Sequence, residues 1–269
     1  MAIIEALKNW TMEPPTLFSG FHIFFLVLAL SVTAVLIHFF KDSSEKTMKR
    51  IVLISWIVLV LFEIGKQAMF SFAPDGTWNY EWKKFPFQFC ETPMYVIPFL
   101  FFIKNERIKN AILHFLSTFA FFAGFALLLL PFTMFTASVF LNIRTMVQHG
   151  IQVILGLYLF AWNRKNASLK GFLEGSYIFL IVLTIAVILN FTVGKDIPGF
   201  NMFYVSKKED SIIMIIKRIK PYVPWFIFLL SYILGFYFCA IASYFIEFES
   251  YRISLKIQLK REAKVECEN

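Results

Sequence analysis

Long runs of apolar residues, separated by short polar and charged stretches, recur along the whole chain. A bilayer core is about 30 Å thick, and a helix needs about 20 mostly apolar residues to cross it. The stretches that meet this requirement are residues 20–40, 51–72, 86–103, 110–130, 144–162, 172–193 and 223–246. The pattern therefore predicts an all-α polytopic membrane bundle of about seven transmembrane helices, residues 20–246, between an N-terminal interfacial segment, residues 1–19, and a basic tail, residues 247–269.

The third stretch is the shortest and carries Pro93 and Pro98. Proline removes a backbone donor and kinks a helix, and a membrane helix tolerates this where neighbours satisfy the freed carbonyl groups. We therefore expect a kinked span, with Pro86 as its first helical residue.

Composition supports this class of protein, because 58% of the 269 residues are hydrophobic and only 16% are charged. Basic residues are concentrated in the loops after the first, third and fifth spans and in the C-terminal tail. Since short cytoplasmic loops carry an excess of Lys and Arg, membrane topology and anionic lipid explain the formal net charge of +8 better than a nucleic-acid partner does. We predict a multi-pass protein of the cell membrane with its N-terminus outside and its C-terminal tail in the cytoplasm.

One loop, residues 194–222, is also basic and falls outside in this topology. Long loops are translocated largely regardless of their charge, so this loop counts less than the short loops as evidence of topology. Within it the sequence SIIMIIKRIK, residues 211–220, sets an apolar run against a basic end. Such a pattern is typical of a segment in the interface plane, and a packed loop explains it equally well. Trp10, Trp78 and Trp82 are expected to anchor the outer surface.

Ionisable and amide side chains inside a span are costly in hydrocarbon and usually face a bundle interior or a water-filled cavity. In this topology the outer halves of the spans contain His22, Glu63, Lys66, Gln67, Gln88, Cys90, Glu91, Gln148, His149, Gln152 and Asn190. The inner halves carry His38, His114 and Glu174, which we interpret as boundary residues near helix ends. We interpret His22 as interfacial. Glu63 and Lys66, three residues apart, most simply neutralise each other.

Two spans that both enter from the outside carry Cys90, four residues after Pro86, and His149, five residues after Arg144. At the standard helical rise these depths are ~6 and ~7.5 Å, so the two side chains could meet. An imidazole that takes the thiol proton, and a thiolate that attacks a carbonyl carbon, are the minimum apparatus of nucleophilic catalysis. Each residue also has a structural alternative, packing for Cys90 and interhelical hydrogen bonding for His149.

The three cysteines, Cys90, Cys239 and Cys267, lie far apart and show no C-x-x-C spacing. This distribution favours neither a disulfide framework nor a zinc site. We expect no metal and no cofactor.

The segments FPFQFCETPMYVIP, residues 85–98, and RTMVQHGIQVILGLYLF, residues 144–160, resemble the bacterial YwaF-like membrane proteins, relatives of the animal transmembrane protein 164 acyltransferase. The matching positions are Pro86, Cys90 and His149. Residues 189–209 and 220–233 look like the family's asparagine-bearing loop and its Pro-Trp entry to the last span, which gives Asn190, Asn201, Pro224 and Trp225. The resemblance covers roughly residues 20–245. This chain departs from the family at the two residues before the cysteine, Gln88 and Phe89, where a more histidine- and leucine-like context is expected.

The resemblance implies an integral-membrane lipid acyltransferase, or acyl hydrolase, in which Cys90 carries the acyl group as a thioester and His149 is the base. Membrane lipids would then be both the acyl donor and the acceptor. The candidate substrate-binding residues are Glu63, Lys66, Gln148, Gln152, Asn190 and Asn201.

Two other functions fit the same polar residues. One is a small-molecule transporter or carrier whose outer-leaflet cavity binds a solute through Glu63, Lys66 and His149. The other is a non-enzymatic accessory membrane subunit. Neither requires a reactive thiol at Cys90, so the chemistry of this residue separates them from the enzyme.

Overall fold

The computed structural model describes residues 2–73, 75–131, 134–211 and 213–268, and the side chains of residues 214–216, 254 and 257–268 lie outside the description. The described residues form eleven α-helices and no extended β-strand. The helices are α1 (Ala2–Asn9), α2 (Gly20–Phe40), α3 (Glu45–Ser71), α4 (Pro93–Val96), α5 (Phe99–Phe102), α6 (Glu106–Phe115), α7 (Phe121–Leu129), α8 (Val139–Asn163), α9 (Leu169–Phe191), α10 (Met214–Ile219) and α11 (Trp225–Glu268).

Five continuous helices are long and apolar enough to cross a membrane: α2, α3, α6 with α7, α9, and residues 225–253 of α11. They confirm the all-α polytopic membrane bundle. Helix α8 lies among them and contacts α2, α3 and α7. Because α8 is surrounded by neighbours, its amide and imidazole groups are enclosed by protein, and it is the helix on which the candidate site is built.

The predicted third span is not one helix. A single helical turn, Phe89–Glu91, is followed by α4 and α5, so the apolar stretch Phe89–Phe102 is broken twice. Pro93 is the first residue of α4 and Pro98 caps α5, because a residue without an N–H is tolerated only where a helical turn begins. The prediction that Pro86 starts the helix is wrong, since Pro86 precedes the first turn by three residues.

Aromatic rings fill the space between the broken span and helices α6, α9 and α11. The ring of Phe89 has edge contacts with Phe115, Phe179 and Phe236, with centroid distances of 6.2, 5.7 and 4.9 Å. Such pairs contribute about 0.5–1.5 kcal/mol each beyond the area they bury. They fix Phe89, and therefore the turn that carries Cys90, against three helices.

Helices α6 and α7 are joined by a π-helical turn, Leu116–Ala120, which lies in the same aromatic core. Two glycines permit close packing on either side of it. A Cβ at Gly175 of α9 would lie 2.9 Å from the backbone nitrogen of Phe115. One at Gly124 of α7 would lie 2.4 Å from Cβ of Gln152.

His22 is fully buried rather than interfacial, so that prediction is wrong. The backbone N–H of Phe18 donates to its Nδ1 over 2.9 Å, which leaves Nε2 to donate to the carbonyl of Leu128 over 2.8 Å. Carbonyl groups in the last turn of a helix lack an intrahelical partner. His22 therefore ties α2 to the end of α7.

The three polar residues predicted for the inner halves of the spans have different surroundings in the structure. His38 is exposed at the end of α2, as expected of a boundary residue. Glu174 forms an ion pair with Arg107 at 2.7 Å. His114 is only 3% exposed, so it is a core residue and its boundary assignment is wrong.

The N-terminal segment crosses the end of the bundle at which α8 begins. The backbone N–H of Val139, at the start of α8, donates to the carbonyl of Trp10 over 3.0 Å, and Met12 N–H donates to Ala137 over 2.8 Å. Trp10 is about half exposed, as are Trp78 and Trp82, which leaves all three available as membrane anchors.

The basic loop includes helix α10, whose side chains at residues 214–216 lie outside the described residues. The two interpretations of residues 211–220 therefore stay predictions.

Candidate functional site

Cys90 is the middle residue of the helical turn Phe89–Glu91 and has a free thiol. Its backbone carbonyl accepts two hydrogen bonds of 2.8 Å, one from Nε2 of Gln148 and one from Nε2 of Gln152. These glutamines lie one helical turn apart on α8, so they face the same direction. The broken span is thus attached to α8 at the cysteine itself.

His149 lies between the two glutamines in the sequence and is 3% exposed. Its Nδ1 is 2.8 Å from the carbonyl oxygen of Thr145, which can only accept. Nδ1 therefore carries the proton, and Nε2 is left with a free lone pair. Nε2 is buried and has no hydrogen-bond partner among the described residues. This is the tautomer that a general base requires.

His114 shows what the same arrangement looks like when it is structural. Its Nδ1 is 2.9 Å from the carbonyl of Asn110, also four residues earlier on the helix. Its Nε2, unlike that of His149, accepts the backbone N–H of Ser168 over 3.4 Å. Of these two histidines with the same orienting bond, only His149 keeps its second nitrogen free.

Four charged side chains form a buried cluster beside Cys90. Lys66 Nζ lies 2.7 Å from Glu63 Oε1 and 2.6 Å from Glu91 Oε1, while Arg144 Nη2 lies 2.6 Å from Glu63 Oε2 and 2.8 Å from Glu91 Oε1. No side chain of the four is more than 11% exposed. The expected Glu63–Lys66 pair is present, but it is half of a four-residue network that links α3, the broken span and α8.

The remaining carboxylate lone pairs in the cluster are also used. Gln67 Nε2 donates to Glu63 Oε1 over 2.7 Å, and the backbone N–H of Gln88 donates to Glu91 Oε2 over 2.8 Å. Two positive and two negative charges cancel, so the cluster is neutral as a whole. Glu63 and Lys66, assigned to substrate binding from the sequence, are committed to this network in the structure.

Sequence reasoning missed Arg144 and Glu91 as members of the site. Arg144 enters the sequence argument only as the start of a span and the reference point for the depth of His149, although it precedes Gln148 by four residues and so shares its helix face. Glu91 is given there only as one of the polar residues of the outer halves, with no role in the site. The short turn of the broken span brings its carboxylate back to α3 and α8.

Asn190 and Asn201 hold the backbone of the loop between α9 and α10. Asn190 Nδ2 donates to the carbonyl of Met202 over 2.9 Å, and the N–H of Met202 donates to Asn190 Oδ1 over 2.7 Å. Asn201 Nδ2 donates to Asp210 O over 2.8 Å, and its Oδ1 accepts the N–H of Ser206 over 2.9 Å. Both amides, which the sequence analysis assigned to substrate binding, are committed to this loop.

The same loop contains two adjacent residues with strained backbones. Phe203 and Tyr204 have φ angles of 57° and 56°. Bulky side chains rarely adopt this left-handed region, and each such residue costs about 1–3 kcal/mol. The side chain of Gln88 donates to Asn201 O over 2.9 Å, so the loop is bonded directly to the segment that precedes Cys90.

Two tyrosines from loops lie near the charged site. Burial, followed by the electrostatic effect of Cys90 and Glu91, raises the pKa of Tyr204. Burial, followed by the carboxylates of Glu63 and Glu91, raises the pKa of Tyr80. Both phenols therefore stay protonated, and able to donate a hydrogen bond, at neutral pH.

Several polar atoms around Cys90 are buried without a hydrogen-bond partner among the described residues: Gln88 Oε1, Arg144 Nε, His149 Nε2 and Gln152 Oε1. Buried polar atoms are normally paired. Unpaired donors and acceptors on the residues that surround the cysteine turn suit a polar ligand such as an ester or a lipid headgroup. The described residues include no group of three or more His, Cys, Asp and Glu side chains that could hold a metal ion.

An apolar groove of about 610 Å³ runs between α3 and the broken span. Its walls include Ile64, Met94 and Tyr95, and Glu63 and Gln67 of the charged site line it as well. Ile64 and Tyr95 are 59% and 40% exposed on the bundle surface, so the groove opens toward the surrounding lipid. It offers an apolar chain a route from the bilayer to the polar site.

The family model described as "TMEM164 family" matches residues 17–242 of the chain. This is most of the sequence and includes every residue of the site. The chain belongs to the TMEM164 family. No match was found among curated proteins or among solved structures. Membership agrees with the multi-pass architecture and with the part of the resemblance that concerns this family. The closer likeness to bacterial YwaF-like proteins stays a prediction.

Proposed function

We propose that the protein is a membrane-embedded, thiol-dependent lipid acyltransferase, or acyl hydrolase, with Cys90 as nucleophile and His149 as general base. The observation that carries the proposal is the free, buried Nε2 of His149, which is oriented by Thr145 and lies on α8 between the two glutamines that bind the Cys90 carbonyl. Membership of the TMEM164 family supports a multi-pass membrane protein. The apolar groove supplies access for an acyl chain.

The first half-reaction transfers an acyl group from a membrane lipid to sulfur. His149 Nε2 takes the proton of the Cys90 thiol, and the thiolate attacks the ester carbonyl carbon. The carbonyl π electrons move to oxygen, then return as the C–O bond breaks. The departing lysolipid oxygen takes the proton from His149. A thioester on Cys90 and a free lysolipid result.

The second half-reaction reverses the roles. The hydroxyl of an acceptor lipid gives its proton to His149 and attacks the thioester, and the thiolate that leaves recovers the proton. Water in place of the acceptor gives hydrolysis. Membrane lipids are thus the proposed partners, and no cofactor takes part.

The neutral charge cluster has a positioning role in this proposal. Glu91 is bonded to α3 through Lys66 and to α8 through Arg144, so the residue after Cys90 is held from both sides. Asn190 and Asn201 act in the same way from the loop between α9 and α10, through Gln88. Each is expected to fix the thiol relative to His149 rather than to touch the reacting carbon.

The test uses the purified full chain in nanodiscs that contain phosphatidylcholine with an alkyne-tagged acyl chain. Wild-type protein should acquire a tagged adduct that hydroxylamine releases, because hydroxylamine cleaves thioesters. Cys90→Ala should abolish the adduct, while Cys239→Ala, which removes the other described free thiol, should leave it unchanged. His149→Ala should slow adduct formation by about 100-fold or more, since 100-fold is the lower end of the range for general-base catalysis.

Folding is checked for each variant by its elution profile and its melting temperature. An adduct that persists in Cys90→Ala would refute the nucleophile. If wild-type protein formed no adduct while a solute competed for the polar site, the transporter or carrier would become the better account.

A further inference from the structure

We propose that the hydroxyl of Tyr204 is the hydrogen-bond donor to the carbonyl oxygen that becomes negative when Cys90 attacks an acyl ester. The inference depends on the proposed function and adds a residue that neither the sequence pattern nor the family match singled out. It would complete the site, because a nucleophile and a base alone leave the developing oxyanion unsupported.

The first support is the way the loop is built. Tyr204 and its neighbour Phe203 both have left-handed backbones, which persist in bulky residues only where the surroundings hold them. The surroundings do so here. Asn190 bonds both backbone groups of Met202, and the indole of Trp225 donates to Val205 O over 2.8 Å.

Aromatic packing places this loop directly over the cysteine turn. The ring of Phe203 stacks on Phe87 at a centroid distance of 5.8 Å and has an edge contact with Phe89 at 5.4 Å. Phe89 precedes Cys90 in the chain. The strained pair is therefore fixed against the segment that carries the thiol.

The hydroxyl of Tyr204 is available. It has no hydrogen-bond partner among the described residues, and the side chain is only partly exposed. It lies within electrostatic range of both the Cys90 thiol and the Glu91 carboxylate. Burial and the electrostatic effect of Cys90 and Glu91 raise the pKa of the phenol and so keep it protonated, which is the donating form.

Other donors near Cys90 are already in use. The side-chain N–H groups of Gln148 and Gln152 bond the Cys90 carbonyl, and that of Asn190 bonds the loop. Tyr232 also lies within electrostatic range of Cys90, but it is 1% exposed and packs on Phe236 in the apolar core. Tyr204 is the phenol that a lipid ester entering from the outer side can reach.

In the proposed step, the sulfur of Cys90 forms its bond to the carbonyl carbon as the π electrons move to the carbonyl oxygen. The O–H of Tyr204 donates a hydrogen bond to that oxygen and keeps its proton throughout. When the tetrahedral intermediate collapses, the electrons return, the ester C–O bond breaks, and the lysolipid oxygen takes its proton from His149.

The experiment compares Tyr204→Phe with wild-type protein in the same tagged-phosphatidylcholine nanodiscs. The variant keeps the ring and removes only the hydroxyl. Loss of one oxyanion donor typically slows acyl transfer by 100-fold or more, so we expect the rate of thioester formation on Cys90 to fall about 100-fold. Alkylation of Cys90 by iodoacetamide creates no oxyanion, so its rate should change less than about 2-fold.

Two matched variants complete the design. Tyr222→Phe removes an exposed hydroxyl from the same outer segment and should leave both rates unchanged. Tyr232→Phe tests the competing phenol, and a loss of acylation there, with Tyr204→Phe normal, would overturn the assignment. Equal falls in acylation and alkylation for Tyr204→Phe would show a structural role and would also overturn it. If the wild-type protein formed no Cys90 adduct, the proposed function would be refuted, and with it the role of Tyr204. If the wild-type protein formed the adduct and Tyr204→Phe formed it at the normal rate, only the role of Tyr204 would be refuted.

Discussion

Removing one negative and one positive charge together from the buried cluster should destabilise the protein less than removing either charge alone. Glu63→Gln leaves Lys66 and Arg144 facing only Glu91, with a net charge of +1. Lys66→Met leaves two carboxylates facing only Arg144, with a net charge of −1. The double variant keeps the neutral Glu91–Arg144 pair, whose N–O distance is 2.8 Å.

The contacts allow the size of the effect to be worked out. Each charge in the cluster faces two opposite charges and one like charge, so removing it loses the equivalent of about one attraction. At charge separations near 4 Å and an effective dielectric constant of about 20, one attraction is worth about 4 kcal/mol. Breaking a buried pair from one side costs about 3–5 kcal/mol in measured cases, which agrees. We therefore expect each single replacement to lower the free energy of unfolding by about 3–5 kcal/mol.

For the double variant we expect a smaller loss than for either single one, so the coupling energy between the two positions should exceed about 3 kcal/mol. The assay is reversible unfolding in mixed micelles, in which a denaturing detergent is titrated and tryptophan fluorescence is followed. Glu249 and Arg252 provide the control, since their ion pair of 2.7 Å has side chains about half exposed. Removing either of these should cost less than about 1 kcal/mol.

A double variant as destabilised as the sum of the two single variants would refute the reasoning. In that case the four charges would not behave as one network. A result in which Lys66→Met cost no more than the exposed control would show that Lys66 is solvated in the folded protein.

The remaining predictions concern packing and topology. Gly124→Ala should destabilise the protein by about 1–3 kcal/mol and slow acylation of Cys90, because the new Cβ would lie 2.4 Å from Gln152 Cβ and 3.0 Å from the His149 carbonyl oxygen. Gly235→Ala, whose Cβ meets nothing within 4 Å, should be neutral or slightly stabilising, and equal melting temperatures for the two variants would contradict the packing argument. A reporter fused after Asn269 should be active only as a cytoplasmic form, since the basic short loops place the C-terminus inside. Activity of an extracytoplasmic reporter alone would invert the assignment of the site to the outer leaflet.

Hydropathy and chain length were sufficient to predict the fold class. Apolar runs such as residues 20–40 and 172–193 must form helices in a bilayer, because hydrocarbon leaves backbone groups no other partner than their own helix. The positions of the apolar runs also placed the polar residues within their spans. Cys90, His149 and the Glu63–Lys66 pair fall in the same half of their spans, so they could be selected before their contacts were known. The depth comparison itself started from Pro86 and Arg144, whereas in the structure the helical turn begins at Phe89 and α8 begins at Val139.

The details that turn these residues into a site were decided by the tertiary structure. Pattern reasoning treated residues 86–103 as one kinked helix, whereas two prolines divide it into short turns and so change the direction of Glu91. It could not show that Arg144 completes the charge cluster, because that contact joins residues 53 positions apart in the chain. Nor could it distinguish His149, with a free Nε2, from His114, whose Nε2 accepts a backbone N–H from another segment. Sequence determines which groups must leave water and at what depth they lie, but hydrogen-bond partners depend on helix rotation and loop conformation, which only the packing of the whole bundle specifies.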